Sequence, residues 1–155
     1  MNSLWWDKNI SLDTKKRLGK AIVEPVACYG CEVWLLKTEE QRKLLALEMD
    51  YLRRSARVSR LQKIPNTAIR KKMQAEQSIL DRIQRRQLNW NGHLLRMEDS
   101  RWRKKINQWT PHGRRRRGRS QQLWKNRVAD FMRSRNMEED MAVWRLGVRV
   151  WLLAV

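Results

Sequence analysis

The sequence holds few of the residues that punctuate or staple a chain: two cysteines, three prolines and six glycines in 155 residues. Cys28 and Cys31 lie too close together to staple a fold, which excludes a disulfide framework and agrees with a reducing compartment, nucleus or cytoplasm. So little glycine and proline also excludes a collagen-like or low-complexity chain. Long apolar runs are missing. The most apolar stretches, 21–36 and 148–155, are broken by Glu24, Pro25 and Glu32 or end after eight residues, against the ~20 that span a bilayer. Residues 1–9 are polar and carry Trp5 and Trp6, so they do not read as a secretory signal. The expectation is a protein that is neither secreted nor inserted in a membrane.

The residue groupings that enzymes need are also missing. Two-metal polymerases and nucleases hold their ions with clustered carboxylates, and no Asp-Asp pair occurs here. Glu39-Glu40, Glu98-Asp99 and Glu138-Glu139-Asp140 read as first-turn helix charge or as turns. There is no phosphate-binding P-loop, no Gly-x-Ser-x-Gly elbow and no His-Glu-x-x-His. The chain is therefore expected to be no enzyme by itself, with no catalytic residue, no cofactor and no small-molecule substrate.

What is present in excess is positive charge. Lys and Arg number 35 against 16 Asp and Glu, a net charge of +19 with a pI near 11.2. A chain so basic implies a polyanionic partner, with RNA or DNA the first candidate and a membrane surface the second. The charge is unevenly spread. Residues 82–119 hold 13 basic and 2 acidic side chains, whereas residues 1–77 hold 16 and 9.

The apolar spacing predicts a mainly α fold of about five or six amphipathic helices. Ser11 is the predicted N-cap of a first helix over 12–29, with Leu18, Ile22, Val26 and Tyr29 as its inward stripe and a kink or break at Pro25. The state of 31–36 is left open, with an extended conformation one option. Thr38-Glu39-Glu40-Gln41 reads as a capping box opening a second helix that buries Leu45, Met49, Leu52 and Ala56. Pro65-Asn66-Thr67 starts a short helix carrying Ile69 and Met73. Ser78 and Asp81 cap the longest amphipathic stretch, with Leu80, Ile83, Gln87, Trp90, Leu94 and Met97 on one side and Arg82, Arg85, Arg86 and Arg96 elsewhere on its surface. A short amphipathic segment with Trp102, Ile106 and Trp109 follows. Ser120 is the predicted cap of a helix with Trp124, Val128 and Phe131 inward, and a last helix from about residue 138 has Met141, Trp144 and Val148 inward.

Between these lies Pro111-His112-Gly113-Arg114-Arg115-Arg116-Arg117-Gly118-Arg119, read as an arginine-rich loop with nothing to bury, mobile until it meets an anion. Arginine forks bind phosphate oxygens bidentately and stack on bases, which favours nucleic-acid contact over a solvated charge cluster or an import patch. Arg114, Arg115, Arg116, Arg117 and Arg119 are thus the leading binding residues, supported by Arg82, Arg85, Arg86 and Arg96. Trp102 and Trp109 flank the basic run and are the candidates for base stacking, while Trp90, Trp124 and Trp144 fall on apolar stripes and read as core. Cys28-x-x-Cys31 has the spacing of a zinc half-site, but His93 and His112 stand 19 residues apart, so two packed free thiols are the favoured reading and no metal is expected.

Several blocks resemble one known family. Leu12 to Ile22 (LDTKKRLGKAI), Tyr29-Gly30-Cys31-Glu32-Val33-Trp34, Leu52-Arg53-Arg54, and Arg82-Ile83 through Trp90-x-Gly92-His93-Leu94-Leu95-Arg96-Met97 follow in the order seen downstream of the polymerase palm in non-LTR retrotransposon endonuclease-reverse transcriptases. The arginine-rich run followed by Trp124 fits as well, and the likeness extends nearly end to end. It implies a helical thumb-like segment over 1–63 and a helical extension with the Trp-x-Gly-His motif over 64–110. The arginine-rich loop over 111–119 and C-terminal helices over 120–155 would follow, the last of them truncated. The family is an RNA-directed DNA polymerase whose endonuclease, fingers and palm would lie upstream of Met1. The likeness therefore implies a noncatalytic mobile-element piece that contacts RNA or RNA–DNA hybrid through phosphates, with the missing palm a further partner. The alternative is an inactive structural remnant. Ser120 departs from the family, which has Pro after the Gly-Arg pair.

Overall fold

The computed structural model describes residues 2–109 and 123–135. The chain is mainly helical, and no strand occurs among the described residues. It divides into two compact units, Met1–Cys31 with Leu36–Ile83, and Glu32–Leu35 with Gln84–Val155.

In the first unit α1 (Asn2–Trp6) is followed by α2 (Leu12–Leu18), a π-turn (Gly19–Val23) and α3 (Glu24–Ala27). Ser11 caps α2 as predicted, its Oγ accepting the Thr14 amide at 3.1 Å. The helical segment does not break at Pro25 but continues to Ala27. Proline crowds the carbonyl four residues back, and the preceding turn widens instead, the Glu24 N–H reaching the carbonyl of Gly19. That extra residue per turn rotates the phase. The expected stripe of Ile22, Val26 and Tyr29 faces outward, with Val26 79% and Tyr29 85% exposed, and Lys15, Gly19, Cys28 and Cys31 are buried in its place. The segment ends where Gly30 takes a left-handed φ of 63°.

Lys15 is an unusual core residue. Its ammonium donates to the carbonyls of Trp5 and Asp7, both at 2.7 Å, and so satisfies the C-terminal end of α1. Burial, reinforced by repulsion from Arg57, pulls its pKa below the ordinary lysine value.

Helix α4 (Thr38–Ser55) begins one residue earlier in register than the predicted capping box: Lys37 is the N-cap, and the Glu40 carboxylate accepts its amide at 2.7 Å. Its inner face follows the predicted spacing at Met49, Leu52 and Ala56, whereas Leu45 is only half-buried. Met49, Leu52 and Ala56 join Val58 with Ile69 and Met73 of the α5 region (Asn66–Lys72) in one apolar cluster. A polar layer lies beside this cluster. Glu48, 1% exposed, accepts from Arg70 and from Arg82 Nη2 (2.9 Å), and Arg82 Nε stands 3.2 Å from Glu24. Paired in this way, a buried carboxylate escapes the large cost of an isolated charge.

Helix α6 (Ile79–Leu95) opens with the predicted box: Ser78 N–H donates to Asp81 Oδ2 at 2.9 Å, and Asp81 N–H donates to Ser78 Oγ at 3.2 Å. Ile79, Ile83, Gln87, Leu88, Gly92 and Leu94 are its buried positions, and Leu80 and Trp90 are only half-buried. In the second unit α8 (Trp124–Ser134) sets Val128 and Met132 against Leu88, with Trp124 and Phe131 partly buried beside them. The 32–35 segment starts in a 3-10 turn and is pinned twice, by Gln87 Nε2 on the Trp34 carbonyl (2.8 Å) and by the Trp124 indole N–H on the Glu32 carbonyl (2.9 Å). The predicted cap Ser120, the arginine run and the last helix lie outside the described residues.

Candidate nucleic-acid interface

The second unit carries the concentrated positive charge. Helix α7 (Trp102–Gln108) follows the tight turn after α6, and Lys104 sets its position. The Lys104 ammonium donates to the carbonyls of Leu95 (3.3 Å) and Met97 (2.7 Å), which the end of α6 leaves without helical partners, and lies 2.7 Å from Asp99. With Lys104 turned inward, Arg101, Arg103 and Lys105 remain on the helix surface. Lys105 sits 5.6 Å above the Trp102 ring.

Beside α7 runs a groove of about 390 Å³. Its apolar wall is made by Trp90 and Leu94 of α6, Ile106 and Trp109 at the end of α7, Leu123 and Trp124 at the start of α8, and Val33. Among the described residues its polar members are Arg103, Asn107 and Lys125, and no carboxylate joins them in the lining. Among the described residues neither Arg103 nor Lys125 is held in an ion pair. Two walls are fixed, since Trp124 is anchored through Glu32 and α7 through Lys104. A concave, aromatic and cationic surface of this kind suits a ligand that is both planar and anionic better than a non-aromatic anion or an uncharged aliphatic group.

The sequence-predicted residues divide into three groups. Trp109 enters the groove, whereas Trp102, 77% exposed, stands outside the lining. Arg96 is exposed, and Arg85 and Arg86 are half-buried. Arg82 belongs to the core of the first unit: its three nitrogens face Glu24, Glu48 and the carbonyl of Gln77, so it is a structural cation rather than a phosphate ligand. Arg114, Arg115, Arg116, Arg117 and Arg119 lie outside the described residues, yet both flanks of the 110–122 segment, Trp109 and Leu123, line the groove.

Sequence reasoning missed Arg103, Asn107 and Lys125; Trp124 packs beside the Leu88, Val128 and Met132 cluster as its stripe predicts, and both it and the half-buried Trp90 also line the groove, which the stripes do not anticipate. The available signal was the i, i+3 and i, i+4 relation of Arg103 to Ile106 and Asn107, which sets them on one face of α7. Cys28 and Cys31 are both buried. His93 is exposed against Trp90, ring centroids 5.3 Å apart, and His112 lies outside the described residues. Among the described residues no group of three or more His, Cys, Asp or Glu side chains gathers as a metal site, and no helix is long and apolar enough to cross a membrane. Glu39 pairs with Lys43 at 3.2 Å and Glu40 caps α4, as first-turn carboxylates do.

Comparison with protein-family models, with curated proteins and with solved structures finds no match to the chain.

Proposed function

We propose that the chain is a noncatalytic nucleic-acid-binding piece, equivalent to the thumb and C-terminal extension of a non-LTR retrotransposon reverse transcriptase. It holds RNA or an RNA–DNA hybrid by its phosphates, in the nucleus or cytoplasm. The observation that carries this reading is the groove of the second unit, where two cations and three indoles meet with no carboxylate among the described lining residues, and where Trp109 and Leu123, the two flanks of a segment with five arginines, both take part. Arg114, Arg115, Arg116, Arg117 and Arg119 supply the sequence-blind, salt-dependent attraction. Arg85, Arg86 and Arg96 add to the same field, and Arg82 does not. Replacing the five loop arginines with alanine lowers affinity for every sequence and flattens the dependence of log K on log salt by roughly 4, at about 0.7–0.9 per phosphate contact. Unchanged affinity and slope would remove the loop from the interface.

A second reading, an interaction remnant of a mobile element without retained activity, is favoured by one feature. Ile22, Val26 and Tyr29 form an exposed apolar face on the first unit, and such faces mark lost or unfilled contacts. Concentration-dependent self-association abolished by Val26→Lys, with no nucleic-acid affinity above that of a generic polycation, would select it.

A further inference from the structure

We propose that the groove beside α7 is a site for an unpaired base of single-stranded nucleic acid, stacked against indole faces, with the adjoining phosphate taken by Arg103 and Lys125. This rests on the nucleic-acid reading above and deepens it from phosphate attraction to recognition of unpaired nucleotides.

Three observations lead there. Trp90, Trp109 and Trp124 come together from three separate helical segments, and Trp109 keeps 63% of its surface exposed where core tryptophans are covered. The groove volume of about 390 Å³ falls in the ~300–1,000 Å³ range of small-molecule sites, large enough for a planar heterocycle with its sugar. The polar lining is complementary to a nucleotide: Arg103 and Lys125 supply positive charge, and the Asn107 amide offers both a donor and an acceptor to a base edge. An acidic or aliphatic peptide would satisfy only one of these features. In a duplex the base faces are already stacked, so the groove discriminates by strandedness, while the arginine run attracts single strands and duplexes alike.

Trp109 is exposed and follows the last turn of α7, so Trp109→Ala removes a stacking face with little burden on the fold. The experiment measures affinities of the full chain and of Trp109→Ala, Trp109→Phe and Arg103→Ala. The probes are a single-stranded oligoribonucleotide, the same oligomer with one base replaced by an abasic site, a duplex of equal charge, and heparin. Trp109→Ala is expected to weaken the single strand about tenfold to a hundredfold. The same change leaves duplex and heparin binding as they are, and Trp109→Phe recovers part of the loss. The abasic oligomer binds the unaltered chain more weakly than its parent, and Arg103→Ala weakens the single strand while reducing its salt slope. If Trp109→Ala leaves the single strand unaffected, or weakens all four probes equally, the base site is wrong while phosphate binding stands. If no nucleic acid binds even at low salt, both readings fall together.

Discussion

Arg82 Nη2 donates to Glu48 Oε1 at 2.9 Å, and this pair turns an arginine of the basic stretch into part of the first unit's interior. Glu48 is held by Arg70 on its other oxygen, so one carboxylate ties α4 to the α5 region and to the start of α6. Breaking a buried pair from one side leaves a charge uncompensated, typically at a cost of about 3–5 kcal/mol. Glu48→Ala therefore destabilises by about 3 kcal/mol or more, and Arg82→Ala by somewhat less, because Arg70 still serves Glu48. Neither change alters the salt slope of nucleic-acid binding in the folded protein. Urea unfolding alongside a salt titration checks both statements, and a slope that falls with Arg82→Ala would put that guanidinium on the phosphates after all.

Gly19 makes room for a ring. A Cβ at this position would stand 2.7 Å from Tyr51 Cε2 and 3.3 Å from Cδ2, closer than packed atoms tolerate. Gly19 has helical angles, so alanine would gain roughly 1 kcal/mol of helix propensity. The clash outweighs it, since overpacking a filled site costs about 1–3 kcal/mol and the Tyr51 ring also lies against Trp5, centroids 6.0 Å apart. Gly19→Ala is expected to lose about 1–2 kcal/mol net. In a Tyr51→Ala background the same substitution becomes neutral or stabilising, and a double-mutant cycle measures that reversal.

Tyr51 contributes to the alkaline arm of the stability profile. Burial is the main cause that raises its phenol above the ordinary value of 10.0; Glu48 and Glu24 push the same way, and Arg82 and Arg70 push back. With the folded pKa raised, Tyr51 contributes its full stability below pH 10 and loses it as pH climbs through the folded value. Lys15 has the opposite sign, because its folded pKa is depressed and its burial cost is relieved as pH rises toward 10.5. Comparing unfolding midpoints of the unaltered chain and Tyr51→Phe isolates the tyrosine. The two run in parallel up to pH 10 and diverge above it, with Tyr51→Phe the more resistant, whereas parallel curves to pH 11 would place the phenol in solvent.

Much of the fold could be read from local patterns. Ser78 with Asp81, Ser11 with Thr14, and the apolar spacing of Met49, Leu52, Ala56, Ile69 and Met73 all act within a few residues of one another, so periodicity and capping chemistry find them. The first helix was misphased because a π-turn adds a residue that no 3.6-residue pattern anticipates. Lys15 and Glu48 were unreadable as core residues because their partners are two backbone carbonyls and two arginines brought in by other segments. The groove escaped for the same reason. Trp90, Trp109 and Trp124 sit on apolar stripes or beside a basic run, and only the meeting of α6, α7 and α8 brings them together around Arg103 and Lys125, Trp90 and Trp124 half-buried and Trp109 exposed.

Fluorescence anisotropy distinguishes a chain that prefers nucleic acid from one that binds any polyanion. Labelled RNA hairpin, RNA–DNA hybrid, single-stranded RNA and duplex DNA are titrated across a salt series, with heparin as the sequence-blind competitor. RNA or hybrid is expected to bind more tightly than heparin at matched salt, with single strands sensitive to Trp109. Equal affinity for all polyanions, fading together as salt rises, would contradict that preference and leave a basic helical chain without a specific ligand.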